Sequence, residues 1–362
     1  MLTDKQIEEI REHLQKAQNP LFYYDNDLDG LCSFLLLRRY LGRGKGVAVK
    51  SYPDLNPQYA KKAQELKADY VFVLDKPLLA KEFVEEIDKM QIPLVWIDHH
   101  DIEGSESSTE EMIKKESPIY VYNPTKNKGK DKSSEPVTFL TYSISARKED
   151  LWLAFIGCIS DHFMPDFVKD FSEQYPEFWP KKAKIKDPFE AYYKTEIGRI
   201  SQAISFGLKD TITHVVQLQN FLINSKGPAD IFQEIDSNSS FRNRYSEIKK
   251  KYDYLVQKAK EEVSGKVVFF DYTGDLSISA EIANELCFLY PEKYIAAAFI
   301  KGGISNISLR GKNVKLILSN IIGNFSNATG GGHDDAAGAR IRTDDLAKFR
   351  EAFEKEAEKN GK

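Results

Sequence analysis

The chain has 362 residues, 41% hydrophobic, 29% charged and 12% aromatic, the balance of a soluble globular protein with room for two cores. Its 55 acidic and 51 basic residues leave a formal charge of −4, which excludes a global basic field, so any polyanion must be held by a local patch or by metal. No apolar run reaches the ~20 residues of a membrane span, MLTDKQIEEI is no signal peptide, and the separated Cys32, Cys158 and Cys287 read as buried thiols of a reducing cytoplasm.

Thr3 and Gln6 have capping-box spacing, and Ile7, Ile10 and Leu14 follow at helical intervals. An alternation comes next: strand near 21–24, helix 31–41, strand 47–52, helix 57–67, strand 70–74, helix 80–90, then strands at 93–97 and 118–122. Short apolar strands alternating with amphipathic helices predict an α/β fold with a mostly parallel sheet covered on both faces. TKNKGKDKSSEP (125–136) is a lysine-rich polar loop, followed by an apolar helical stretch through 160. Residues 186–262 read as helical and end in a linking helix with a seam of Phe241, Tyr245, Ile248, Tyr252, Leu255 and Ala259. After Gly265 an α/β pattern returns: VVFFDY, a helix near 279–289, YIAAAFI, ISNISLR, a helix near 314–322, ARIRT and a helix from Asp344. The expected division is 1–185, 186–262 and 263–362, the last a smaller α/β domain.

The apolar runs end in residues with chemistry. DNDLDG places Asp25, Asp27 and Asp29 between a strand and a helix, where alternate carboxylates can share cations and Gly30 lets the backbone turn tightly. An aspartate-rich helix N-terminus favoured by the macrodipole accounts for the same residues equally well. An EF-hand does not, because its twelfth position falls at Leu36. YVFVLD ends in Asp75, and PLVWIDHHD in Asp98, His99 and His100. Strand C-termini of an open α/β sheet face one crevice, and carboxylates converging there are tolerated mainly around metal ions.

Asp161, in GCISDHFMPD, ends an apolar helix beside Cys158, a costly place unless the carboxylate is paired or liganded. His162 either contributes or marks a surface helix end, while His13 and His214 are assigned to structure. In TGGGHDDAAG, Gly330, Gly331 and Gly332 read as a turn that brings backbone N–H groups close to an anion beside His333. Arg310, ending ISLR, is a candidate bidentate phosphate partner, with a surface salt bridge an equal reading.

DNDLDG, the isolated Asp75, Asp98-His99-His100, Asp161 and GGGH in this order resemble the DHH phosphoesterase family, most of all its RecJ-like nucleases of the shorter archaeal type. The resemblance implies a parallel-sheet DHH domain, a helical linker and a DHH-associated domain, with the active site in the cleft between the two domains. It implies two divalent cations, manganese or magnesium. By motif position Asp25 and Asp27 would hold one, Asp29, His99 and Asp161 the other, and Asp75 would bridge both. Asp98 and His100 would be catalytic groups around the ions, with Arg310, His333 and the Gly330–Gly332 backbone on the phosphate. Asp25 stands where some relatives carry histidine, which leaves the first ion's ligands less fixed.

The implied activity is hydrolysis of single-stranded DNA or RNA, 3′→5′, by water activated between two metals. Lysines of the 126–132 loop would attract the strand, and a replication or repair protein would be a partner. No OB-like extension follows residue 362, which argues against processive digestion. The alternatives are a nanoRNase-like phosphodiesterase for short oligonucleotides or cyclic dinucleotides, and a catalytically silent scaffold. An inorganic pyrophosphatase suits the second domain less well.

Overall fold

The computed structural model describes residues 1–51, 54–100, 118–127, 135–180 and 185–360. Most of the lysine-rich loop, 128–134, lies outside the described residues. The chain forms two compact units, Met1–Tyr245 and Ser246–Lys362.

In the first unit α1 (Asp4–Lys16) starts from the Thr3–Gln6 capping box that the sequence spells out. Five parallel strands follow: β1 (Pro20–Asp25), β2 (Lys45–Val49), β4 (Tyr70–Leu74), β6 (Leu94–Ile97) and β7 (Ile119–Tyr122), ordered β2-β1-β4-β6-β7. A two-residue pair, β3 (Asp54–Leu55) with β5 (Leu78–Leu79), lies apart from it. The central strands β1, β4 and β6 are apolar on both faces because both faces are covered. Phe22, Tyr24, Phe72, Leu74, Val95 and Ile97 pack into the core of α2 (Leu28–Leu41). Leu21, Tyr23, Val71, Val73, Leu94 and Trp96 face α3 (Ala60–Glu65) and α4 (Lys81–Lys89).

The chain leaves β1 for β2 on one side and then crosses to β4 on the other, so the sheet reverses its winding between β1 and β4. Such switch points open a crevice beyond the strand C-termini. The apolar stretch before residue 160 is two helices, α5 (Val137–Ser145) and α6 (Leu151–Ser160), broken where Ala146 takes φ 50°. Further helices are α7 (Val168–Gln174), α8 (Pro188–Lys194), α9 (Glu196–Gly207) and α10 (Ile212–Asn224), and α11 (Ser239–Glu261) begins in the first unit and ends in the second. Arg39 of α2 anchors the end of α10, donating to buried Asp150 at 2.7 Å and to the carbonyls of Leu222, Ile223 and Ser225.

The second unit is a mixed sheet ordered β11-β12-β10-β9-β8. Its strands are β8 (Val267–Thr273), β9 (Tyr294–Lys301), β10 (Ile304–Arg310), β11 (Thr329–His333) and β12 (Ala336–Arg342). Only β8 and β9 pair in parallel. Helices α13 (Val314–Ile322) and α14 (Leu346–Asn360) cover a core of Phe269, Ile307, Leu309, Ile317, Phe349 and Phe353, and α12 (Ser279–Leu289) follows β8. The glycine run expected to be a turn is strand β11, with Gly330 opposite Ala339 and Gly332 opposite Ala337. A side chain at Gly332 would collide with the Ala336 carbonyl, 2.5 Å from a built Cβ, so close strand approach explains this glycine.

Candidate metal centre

The C-terminal ends of β1, β4 and β6, three neighbours in the sheet, deliver Asp25, Asp75 and the run Asp98–His100 to one place. Asp27 caps α2 by accepting the Gly30 amide at 2.9 Å. Gly30 is required there because a Cβ would sit 2.4 Å from the Asp25 carbonyl oxygen; the first turn of α2 presses directly on the end of β1. Asp75 has φ 59°, a left-handed conformation that aspartate adopts only rarely and that costs roughly 1–2 kcal/mol. Strain of this kind persists where the surroundings hold a side chain in a working position.

Two overlapping donor groups result: Asp75, His99 and His100, and Asp29, His99 and Asp161, each with one ligand atom per residue within 4.8 Å of the others. His99 Nε2 is 3.4 Å from Asp75 Oδ1 and 3.9 Å from Asp161 Oδ2. These separations suit donors around a common ion, since ligands ~2.1 Å from a metal stand roughly 3–4 Å apart. Two buried atoms, Asp75 Oδ1 and His99 Nδ1, have no hydrogen-bond partner among the described residues. A buried polar atom without a partner is costly. Carboxylates with imidazole are the donor set of divalent cations such as manganese, and the residues fit such ions.

The electrostatics agree. Burial raises Asp75 well above the carboxylate range, and Asp29 and Asp27 add repulsion. Asp25 is raised to about 6 by burial and by Asp27, with Lys76 opposing. Asp161, open at the rim, is raised to about 7 by desolvation despite the attraction of His99. Burial works against the charged form of His99, but Asp161 and Asp29 outweigh it and raise the imidazole. For His100 burial is again overcome, here by the charge and hydrogen bond of Asp98, and the ring rises to about 9. Asp98 accepts His100 Nδ1 at 2.8 Å, the His100 amide at 3.0 Å and Asn123 Nδ2 at 3.3 Å.

Not every expected residue joins a donor group. Asp25 and Asp27 stand outside both, engaged with Lys76 and the Gly30 amide respectively. His162 stacks on Phe189 with ring centroids 3.9 Å apart. His214 pairs with Asp210, and His13 packs against Tyr120 and Tyr70. In the second unit Arg310 donates to Asn284 Oδ1 at 2.5 Å and to the Leu309 carbonyl. Sequence reasoning missed Lys76 and Asn123; the only signal was a lysine set between two buried runs in VLDKPLL.

Residues 21–146 match the N-terminal domain of the DHH family, and residues 256–359 match the DHHA1 domain. The chain belongs to the DHH/DHHA1 phosphoesterases. The matched DHH domain carries the candidate aspartate–histidine metal site apart from Asp161. No sequence among the curated proteins matches it. Among solved structures it resembles RecJ from Thermus thermophilus in complex with Mn2+, at 13% identity and TM-score 0.65, covering 98% of this chain and 54% of that one. The chain thus spans about half the length of that RecJ. An exonuclease RecJ bound to manganese aligns with TM-score 0.61 at 14% identity, over 99% of this chain and 95% of that one. A DHH domain from a protein described as a member of a ribosomal-protein family aligns with TM-score 0.66 at 14% identity, over 97% and 89%. At these identities the likeness is one of fold.

Proposed function

We propose that this DHH-family phosphoesterase is an exonuclease that hydrolyses single-stranded DNA or RNA, 3′→5′, using two divalent cations, manganese or magnesium. The observation that carries the reading is the pair of donor groups sharing His99 beyond the strand C-termini, with Asp25 and Asp27 next to them at the end of β1. The Thermus RecJ is known in complex with Mn2+ and with Mg2+, which supports the choice of ions. Asp29, His99 and Asp161 would hold one ion, Asp25 and Asp27 the other, with Asp75 between them.

Bound cations supply charge neutralisation on a phosphodiester and acidification of water. The chain's own residues supply the rest. Asp98 fixes the His100 ring through Nδ1, and the ring so oriented would donate to a phosphate oxygen or to the departing alkoxide. Asp98 in turn is held by Asn123, so the ring is oriented before substrate arrives. Asp27 and Gly30 fix the first turn of α2 against β1, which keeps the carboxylates of DNDLDG together. Arg310, His333 and the backbone of β11 would bind a substrate phosphate.

The test is digestion of a 20-mer labelled at either end, beside a dinucleotide, in manganese and in EDTA. Manganese-dependent release of mononucleotides from the 3′ end supports the reading. Turnover of the dinucleotide alone would make the chain a short-oligonucleotide phosphodiesterase. Strand binding without hydrolysis would make it a silent scaffold.

A further inference from the structure

Asp25 meets a buried lysine that none of the motifs calls for. Lys76 directly follows Asp75, and its side chain is 0% exposed. Its Nζ donates to Asp25 Oδ1 at 3.1 Å and to the Ser51 carbonyl at 2.8 Å. The backbone is pinned from the other side, where Trp96 Nε1 donates to the Lys76 carbonyl at 2.8 Å. Ser51 is held in turn by its hydroxyl, which donates to the Asp54 carbonyl at 2.6 Å. Lysine is almost never fully buried unless paired, and an unpaired ammonium there would cost several kcal/mol.

A fixed ammonium is a poor neighbour for a divalent cation. Asp25 Oδ1 already accepts Lys76 and the Asn26 amide at 3.0 Å, so Oδ2 is the oxygen left for an ion. Among the described residues no lysine or arginine contacts the side chains of Asp29, His99 or Asp161. The two ends of the centre therefore differ in charge. One is purely acidic and imidazole-bearing; the other carries a built-in cation.

We infer that Lys76 is a positioning residue that orders metal loading. It clamps Asp25 and weakens cation binding beside it, so the Asp29–His99–Asp161 end fills first and the Asp25–Asp27–Asp75 end takes its ion second. This rests on the two-cation reading above.

Manganese titration of the full chain, without substrate, by calorimetry and by paramagnetic resonance of the free ion, tests it. Two classes of site are expected in the wild type. Lys76→Met should tighten the weaker class about tenfold or more, equivalent to about 1.4 kcal/mol, and leave the tighter class essentially unmoved. Lys76→Arg keeps the charge and should match the wild type. Melting temperature in EDTA checks folding; if Lys76→Met does not fold, Lys76→Gln, still able to bond the Ser51 carbonyl, gives the same readout. Weaker binding in the second class, or equal movement of both, overturns the inference while leaving two cations in place. A wild type that takes one manganese ion overturns the two-cation reading itself.

Discussion

Asp29 caps helix α5 with the same carboxylate that stands among the metal donors. Its Oδ1 accepts the Thr138 amide at 2.7 Å and its Oδ2 the Val137 amide at 2.9 Å. The Thr138 hydroxyl returns a bond to the Asp29 carbonyl at 2.9 Å. An anion at a helix N-terminus satisfies donors that the helix cannot use itself. One residue thus joins the fold to the site.

Asp29 and Asp161 should therefore separate on substitution. Asp29→Ala orphans two buried amides and should lower stability in EDTA by roughly 1–3 kcal/mol as well as weakening manganese binding. Asp161, with a side chain 42% exposed, leaves no such debt, and Asp161→Ala should unfold within about 0.5 kcal/mol of wild type or be more stable, while still losing metal. Urea unfolding beside metal titration checks both. Equal stability of the two variants would argue against the capping role.

Asp75→Ala removes the proposed bridging ligand and an unsatisfied buried oxygen together. Hydrolysis should fall by several orders of magnitude, with the melting temperature in EDTA retained or raised. Near-normal turnover in manganese would sink the two-metal assignment.

Asp98 and His100 should act through the pH profile. Asp98 holds the ring near a pKa of about 9, so Asp98→Asn should lower it and move the alkaline limb of kcat towards neutrality. His100→Ala should lose turnover while keeping most of its manganese, and His99→Ala should lose the metal itself. His100 does stand in a donor group with Asp75, so equal metal loss in both variants would make it a ligand.

Much of this was readable from the chain. The central strands β1, β4 and β6 are short unbroken apolar runs, the pattern of strands covered on both faces, and the aspartates and histidines end those runs. The second unit's glycine strand β11 was not readable, because three glycines carry no alternation and pair with β12 through tertiary structure alone. Lys76 was equally hidden. A lysine after a strand reads as surface, and only the left-handed turn at Asp75 and the Ser51 carbonyl just beyond β2, two strands away in the sheet, make it interior. Asp29 was legible as a candidate ligand but not as the cap of a helix that begins at Val137.

Arg310 and His333 offer a different contrast. Arg310→Ala and His333→Ala should raise KM for a short oligonucleotide about tenfold, with manganese binding unchanged, if these residues hold the phosphate. Arg310→Ala also frees Asn284, so its melting temperature should be recorded alongside. Wild-type kinetics in both variants would remove the second unit from substrate recognition.

The last expectation concerns the protein stripped of metal. Asp25 at about 6, Asp161 at about 7, and Asp27 and Asp75 raised without saturating partners all bind protons more tightly folded than unfolded. A raised carboxylate pKa means that ionisation opposes folding, so stability should fall as the pH climbs from about 5 to about 8. His100 acts in the same direction: its contribution is full below the ordinary histidine pKa and is lost as the pH rises through about 9. His13 opposes them, since burial and Lys16 lower its pKa, but it is a single group against several. Manganese competes with those protons, so binding should release them and tighten with pH. The melting temperature in EDTA should therefore be higher at pH 5.5 than at pH 8, and the gain on adding manganese should be larger at pH 8. A metal-free melting temperature that rises across this interval would mean that the carboxylates are not crowded as their positions indicate.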